Sequence, residues 1–191
     1  MSPILGIYAS QMSGHLWPAS SYESIATTTV GAGGTSTITF SSIPQTYTHL
    51  QIRQLFRTSN TSGSNWYSRI NFNGDTASNY SFHLVRGNGS TVTSSAGANQ
   101  TYSVMANSGD SATLTLGWGV GVTDILDYTN TNKYKTIRSS SGYDQNGAGM
   151  VDLNSGLWRS TSAITSMVFT LQGGTFQQYS SFALYGIKGV A

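Results

Sequence analysis

Residues 66–74 of the chain read WYSRINFNG, and this pattern indicates the fold class. Side chains of a β-strand alternate between its two faces, so Trp66, Ile70 and Phe72 would share one face. Asn73 and Gly74 follow directly, and both residue types tolerate the positive φ that a tight reversal between strands requires. The segment therefore predicts a strand that ends in a tight turn.

The same pattern recurs along the chain, with short alternating runs between clusters of Gly, Asn, Ser and Asp. Residues 80–86 alternate before Gly87, residues 164–171 alternate before Gly173, and residues 181–188 are apolar on both faces, which predicts a covered strand. The remaining predicted strands are residues 24–30, 36–40, 49–57, 101–105, 112–118, 123–128, 134–139 and 150–157. About a dozen short strands predict an all-β fold, an antiparallel β-sandwich that is jelly-roll-like.

The composition excludes several classes of protein. The 191 residues include 30 serines, 24 threonines, 22 glycines and only three prolines, and 8% of them are charged, against about 25% in an average soluble domain. The absence of cysteine excludes disulfide frameworks, thiolate zinc sites and cysteine nucleophiles. With 38% hydrophobic residues, the chain can bury one sizeable core, which predicts a single folded domain.

Residues 1–22 differ from the rest, because they are rich in large apolar residues and show no clean alternation. We expect an extended N-terminal arm over residues 1–22 and a single β-sandwich domain over residues 23–191. Such an arm would be poorly solvated if it hung free, so it should dock either on its own domain or on a neighbouring subunit. The predicted interface residues of the arm are Ile4, Leu5, Ile7, Tyr8, Met12, Leu16 and Trp17.

Charge and hydropathy predict neither nucleic-acid nor membrane binding. The net charge is +2, and the basic residues are scattered rather than clustered. No run reaches the roughly 18 apolar residues that span a bilayer, and the first residues lack a secretory signal pattern. We expect a protein that stays soluble in the compartment where it is made.

No motif predicts an active site, a metal site or a cofactor, and we expect no enzymatic activity. Asp124 and Asp127 would point to opposite faces of a strand, so they predict turn or edge hydrogen bonds rather than a catalytic pair. His15, His49 and His83 lie too far apart in sequence for a short metal-ligand spacing. Residues 144–147 read DQNG, which favours a plain turn over a calcium loop.

The aromatic residues are the best candidates for a binding function. Trp66, Trp118, Trp158 and the arm residue Trp17 could anchor an interface or stack on sugar rings. Their alternation with polar residues favours packing in the core or at an interface, and a carbohydrate platform remains the alternative.

Several segments resemble a group of short virion structural proteins of tailed bacteriophages. They are residues 39–53 (TFSSIPQTYTHLQIR), 72–76 (FNGDT), 88–90 (NGS), 124–128 (DILDY), 132–138 (NKYKTIR), 155–158 (SGLW) and 178–189 (QYSSFALYGIKG). The resemblance implies a β-sandwich built into the particle, usually as a homotrimer, with no catalytic residue to transfer. It also implies that the protein is made in the host cytoplasm and is then located in the virion.

The resemblance leaves two subtypes open. A capsid cement or decoration protein would bridge neighbouring capsomers, with the major capsid protein or other virion proteins as partners and the arm clasping an adjacent subunit. A trimeric tail-fibre or receptor-binding domain would present loops, such as residues 60–65 or 92–100, to host surface glycans. The small size favours the cement subtype. A glycan hydrolase or esterase is the third alternative, and it would need clustered acidic residues or a catalytic triad.

Overall fold

The structure, a computed structural model, describes residues 21–62, 66–112 and 117–189. These residues form strands, turns and loops and contain no helix, so the predicted all-β class is confirmed. The strands are β1 (Tyr22–Thr29), β2 (Thr37–Phe40), β3 (His49–Phe56), β4 (Trp66–Phe72), β5 (Tyr80–Gly87), β6 (Val92–Gln100), β7 (Ser103–Ser108), β8 (Gly119–Leu126), β9 (Lys135–Gln145), β10 (Ala148–Trp158), β11 (Met167–Leu171) and β12 (Ser181–Ile187).

The strands form two antiparallel sheets that pack face to face as a β-sandwich. The larger sheet has eight strands in the order β1-β12-β3-β8-β9-β10-β5-β6, and the smaller has four in the order β2-β11-β4-β7. Two hairpins, β5–β6 and β9–β10, lie together at one side of the larger sheet. The two sheets are therefore unequal in width.

The remaining eight strands have jelly-roll connectivity. Four antiparallel pairs, β1 with β12, β2 with β11, β3 with β8 and β4 with β7, alternate between the two sheets. Such nested pairs arise when one long antiparallel ribbon is wound around a core, which is the plan of a jelly roll. The predicted jelly-roll-like sandwich is thus present, with the hairpins β5–β6 and β9–β10 added to one sheet.

Two predicted turns have the expected backbone geometry. Asn73 and Gly74 have φ values of 51° and 69°, and Asn146 and Gly147 have 60° and 99°. The pair Asn146-Gly147 joins β9 to β10, and Gln145 pairs directly with Ala148 across it. Positive φ at both central residues matches the right-handed twist of the flanking strands, which explains the Asn-Gly sequence.

Three sequence predictions differ from the structure. Residues 92–100, named as a glycan-presenting loop, form strand β6 at the edge of the larger sheet. Of predicted strand 112–118, residues 113–116 lie outside the described residues, and residues 112, 117 and 118 are not in a strand. Predicted strand 164–171 begins only at Met167, although Ile164 is buried in the core.

The core between the sheets contains a chain of aromatic rings. Phe182 on β12 lies 5.1 Å from Phe169 on β11 and 5.1 Å from Phe176, measured between ring centroids. Farther along, Trp158 on β10 packs at 5.4 Å from Phe72 on β4. All five side chains are at most 2% exposed, so these rings join the two sheets along the sandwich.

A buried ion pair also connects the sheets. Arg86 on β5 donates two hydrogen bonds to Asp152 on β10, from Nε to Oδ1 at 2.7 Å and from a terminal nitrogen to Oδ2 at 2.6 Å. From the smaller sheet, Tyr67 accepts a hydrogen bond from Arg86 and Asn107 donates one to Asp152. Burial alone would lower the pKa of Arg86, but the Asp152 carboxylate and Tyr67 outweigh it and raise that pKa.

A second carboxylate fixes the turn after β4. Asp75 accepts hydrogen bonds from Trp158 Nε1 at 2.7 Å, from Asn79 Nδ2 at 3.0 Å and from the backbone nitrogen of Ala77 at 2.9 Å. Partial burial raises the pKa of Asp75, but the three hydrogen bonds together outweigh that effect and lower it below its ordinary value. The ionised form is therefore the one that the folded state prefers.

We predict that Asp152→Asn lowers the free energy of unfolding by about 3–5 kcal/mol, because it leaves the Arg86 guanidinium buried without its counter-charge. Urea unfolding at pH 7 measures this change. Asp144→Asn is the matched control, since Asp144 is an exposed carboxylate near the end of β9. Equal stability of the two variants would contradict a structural role for the pair.

Acid should weaken the contribution of Asp75. Because its folded pKa is lower than the unfolded value of about 3.9, the stabilisation is complete above about pH 4 and is lost as pH falls through the folded pKa. Asp75→Asn should therefore be clearly less stable than the wild type at pH 7, with a smaller difference at pH 3. Unfolding curves of both proteins at the two pH values test this, and a constant difference would argue against it.

Candidate functional site

The larger sheet has one face against the core and one face turned away from it, which we call the outer face. Strand β8 shows the division, since Gly121, Thr123 and Ile125 are buried while Val120 and Val122 are exposed. Strands β9 and β10 continue the same alternation. In an antiparallel sheet with one buried face, such outward positions usually carry polar residues.

Here many outward positions carry aliphatic side chains instead. Val151 is 67% exposed, Leu153 51% and Val120 49%. Together they form what we call the aliphatic patch, which consists of Leu55, Val85, Val92, Val120, Val122, Val151 and Leu153.

Strand register brings the patch residues together. From β3 to β6, one row across the sheet aligns Leu55, Val120, Gly142, Val151, Gly87 and Val92. The next row aligns Arg53, Val122, Ser140, Leu153, Val85 and Ser94. Six strands at about 4.8 Å spacing make the patch about 24 Å wide. A contiguous exposed apolar surface of this kind is typical of a site of protein interaction.

The patch is not flat, because glycine lies in its middle. A Cβ atom on Gly142 would come within 2.6 Å of the backbone oxygen of Met150, so close approach of the strands excludes a side chain. A hollow of about 500 Å³ opens there, with Val120, Val122 and Val151 in its walls. A second hollow of about 520 Å³ has Leu153 and Val85 in its wall. The surface can therefore receive protruding side chains of a partner.

A polar border adjoins the patch near the start of β1. Gln51 donates a hydrogen bond to Asp124 at 2.8 Å and accepts one from the Tyr22 hydroxyl. Tyr22 and Tyr185 stack with ring centroids 4.8 Å apart, and the Arg53 guanidinium lies over both rings at 5.6 Å and 5.5 Å. Burial raises the pKa of the Tyr22 hydroxyl, which therefore stays protonated. This border links side chains of β1, β3, β8 and β12 on the outer face.

Strand β6, at the edge of the larger sheet next to the patch, lacks the residues that usually prevent pairing with another strand. Strand β6 is exposed or half-exposed at each of its nine positions and reads VTSSAGANQ. It has no charged residue and no proline, which are the residues that usually discourage pairing with a foreign strand. The edge can therefore pair with another extended segment.

Of the sequence-predicted candidates in the described part of the chain, the structure brings together His49 and Asp127, whose Nδ1 and Oδ1 atoms lie 3.5 Å apart. Asp124 accepts its hydrogen bond on the outer face, while Asp127 accepts one from Lys133 and donates its backbone N–H to Nδ1 of His49 at 3.0 Å. Asp127 thus takes part in a hydrogen bond within a turn, as predicted, whereas the prediction for Asp124 is wrong, because Asp124 lies on the interior strand β8 and bonds across to β3. Among the described residues, no three His, Asp or Glu side chains are grouped to hold a metal ion.

Residues 1–20 lie outside the described residues. The predicted interface residues Ile4, Leu5, Ile7, Tyr8, Met12, Leu16 and Trp17 are all among them, so their role stays a prediction. Conversely, sequence reasoning missed the aliphatic patch. The only sequence signal was the alternation in β8, which places Val120 and Val122 on the face opposite to Thr123 and Ile125.

Comparisons with known proteins assign the chain to no family. No known family model matches the chain, and no curated protein is similar to it. Within the described residues, no helix could cross a membrane.

We predict that patch residues contribute little to folding. Leu153→Ala should change the free energy of unfolding by no more than about 0.5 kcal/mol, because the side chain is already half in solvent. The matched control is Leu50→Ala on β3, where the side chain is 0% exposed and the cost should be about 2–5 kcal/mol. Chemical unfolding of both variants measures the contrast, and similar losses would show that Leu153 belongs to the core.

Proposed function

We propose that the chain is a non-enzymatic structural protein of a phage virion, and more narrowly a capsid cement or decoration protein that bridges neighbouring capsomers. The observation that supports it most is the aliphatic patch on the outer face. A protein that works alone in water gains nothing from seven exposed aliphatic side chains in register, whereas a protein that is bound to a lattice buries them.

The make-up of the outer face suits a protein partner. Its centre is aliphatic with hollows, and its border carries Arg53, Gln51 and two tyrosines, which resembles the apolar centre and polar rim of protein interfaces. Arg and Tyr are also residue types that contribute strongly to binding. The proposed partner is the major capsid protein or another virion protein.

Repetition on a particle would make this interface effective. Capsomers present many copies of one surface, and a decoration protein that contacts two of them gains avidity without any new contact. We propose a homotrimer, with the β6 edge and the apolar residues of the segment 1–20 as further contacts. These contacts would resist separation of capsomers under the pressure of packaged DNA.

A trimeric tail-fibre domain that contacts host glycans is the second candidate. One observation favours it, a cleft at an end of the sandwich that is lined by aromatic, amide and hydroxyl side chains. The fold does not decide between the two, because jelly rolls occur in capsid proteins and in lectins.

The location of the protein on the particle separates these proposals. Immunogold electron microscopy of purified virions, with an antibody against this chain, should show label over the head. Label confined to the tail tip would support the fibre, and absence of label from the particle would overturn both.

Charge placed in the patch should then weaken attachment. The double variant Val122→Asp/Leu153→Asp should co-sediment with capsids that lack the protein at least about tenfold less tightly, because two carboxylates would lose water on binding. Thr39→Asp is the control, since it adds a charge at an exposed position of the smaller sheet. Equal loss in the control, or no loss in the double variant, would exclude the patch as the attachment surface.

A further inference from the structure

Four loops meet at one end of the sandwich, next to the part of the aliphatic patch that contains Leu55 and Val120. Because β1 pairs with β12 and β2 with β11, the loops that join β1 to β2 and β11 to β12 lie side by side. Leu55, near the end of β3, pairs with Ser181 at the start of β12 and with Val120 at the start of β8. The β3–β4 and β7–β8 loops therefore reach the same end.

A cleft of about 460 Å³ opens between these loops. Its lining combines two aromatic rings with amide and hydroxyl groups, and it contains one charged side chain. The lining residues that carry the argument are Arg57, Ser59, Trp118, Gln177, Gln178 and Tyr179.

Hydrogen bonds between the loops hold the cleft in shape. The backbone nitrogen of Ser59 donates to the backbone oxygen of Thr175 at 2.9 Å, and the backbone nitrogen of Thr175 donates to Ser59 Oγ at 2.9 Å. The backbone nitrogen of Gln177 donates to the backbone oxygen of Arg57 at 2.9 Å. The walls are thus joined before any ligand arrives, which lowers the entropic cost of binding.

Contacts between side chains also hold the inside of the cleft in shape. Arg57 Nε donates to Gln177 Oε1 at 2.6 Å, and the guanidinium lies 5.7 Å from the centroid of the Trp118 ring. Stacking of the guanidinium on the indole fixes the direction of both groups. Gln178 is exposed next to them, so its amide can bind a ligand.

Tyr179 is the most unusual residue of the cleft. Its side chain is 66% exposed and its φ is 72°, a left-handed conformation that bulky residues rarely adopt. The turn is held by hydrogen bonds from the backbone nitrogen of Tyr179 to the oxygen of Val30 at 2.9 Å and from that of Ser180 to the oxygen of Gln177 at 3.0 Å. Glycine would fit this backbone without strain. A strained residue that presents an aromatic ring to solvent indicates a functional position.

We propose that this cleft is a saccharide-binding site in which a sugar ring packs on Tyr179. The C–H groups on one face of a pyranose suit the face of an aromatic ring, and amides and hydroxyls match sugar hydroxyls because both groups donate and accept hydrogen bonds. Gln178 and Ser59 would supply these bonds at the rim. Arg57 is the one charged residue among the described residues that line the cleft, so the site accepts neutral or acidic sugars.

The inference concerns a cleft that adjoins the aliphatic patch but has none of its lining residues in the patch, and it does not depend on the proposed place in a virion. A decoration protein on the head and a fibre domain at the tail could each use such a site to hold a particle at a cell surface. The location of the protein and its sugar binding are therefore tested separately.

Saturation-transfer difference NMR on the full chain tests the site, with maltotriose, chitotriose and trigalacturonic acid as probes of neutral, acetamido and acidic sugars. At least one probe should bind, and Tyr179→Ala should weaken that binding by about tenfold. Tyr134→Ala is the matched control, because Tyr134 is 51% exposed in the β8–β9 loop at the other end of β8. It should leave binding unchanged.

A second variant separates binding from folding. Tyr179→Gly removes the backbone strain together with the ring, so it should melt at or above the wild-type temperature and still lose binding. Absence of a signal with all three probes would overturn the proposal. Binding that survives in both Tyr179 variants, or that falls equally in Tyr134→Ala, would overturn it as well.

Discussion

Contact between Phe182 and Phe169 across the two sheets is the interaction on which the rest of the architecture depends. It joins the last strand of the larger sheet to its neighbour in sequence in the smaller sheet, and Phe176 in the connecting loop closes the same cluster. Because these rings are buried, the apolar face of each sheet must point to the interior. The outward positions of the larger sheet are then free to serve another purpose.

The two hairpins added to the larger sheet produce the feature that distinguishes this jelly roll. Strands β5, β6, β9 and β10 double the width of one sheet, while the opposing sheet keeps four strands. The core extends beneath them through Trp158 and Tyr80, and the Arg86–Asp152 pair contacts Tyr67 and Asn107 of the smaller sheet. The added strands also supply Val85, Val92, Val151 and Leu153, which are most of the aliphatic patch. The two hairpins therefore extend both the interior and the exposed face.

Local sequence was enough to predict the fold class and most strands, because alternation and Asn-Gly turns act over a few residues. Residues 66–74 and 144–147 show this directly. Strand β6 was missed because VTSSAGANQ has neither apolar alternation nor a buried face, and it is extended only because β5 pairs with it. Neither the aliphatic patch nor the saccharide cleft could be predicted, since each requires strand register or loops from distant parts of the chain.

The pairing of β1 with β12 also has a consequence for how the molecule is made. Residues 22–29 pair with residues 181–187, so β1 gains its partner strand only after β12 has been synthesised. Nested long-range pairs of this kind raise the contact order, which slows folding and exposes unpaired strands in the meantime. During synthesis, β1 and β2 thus remain without their partner strands until β12 and β11 have been made.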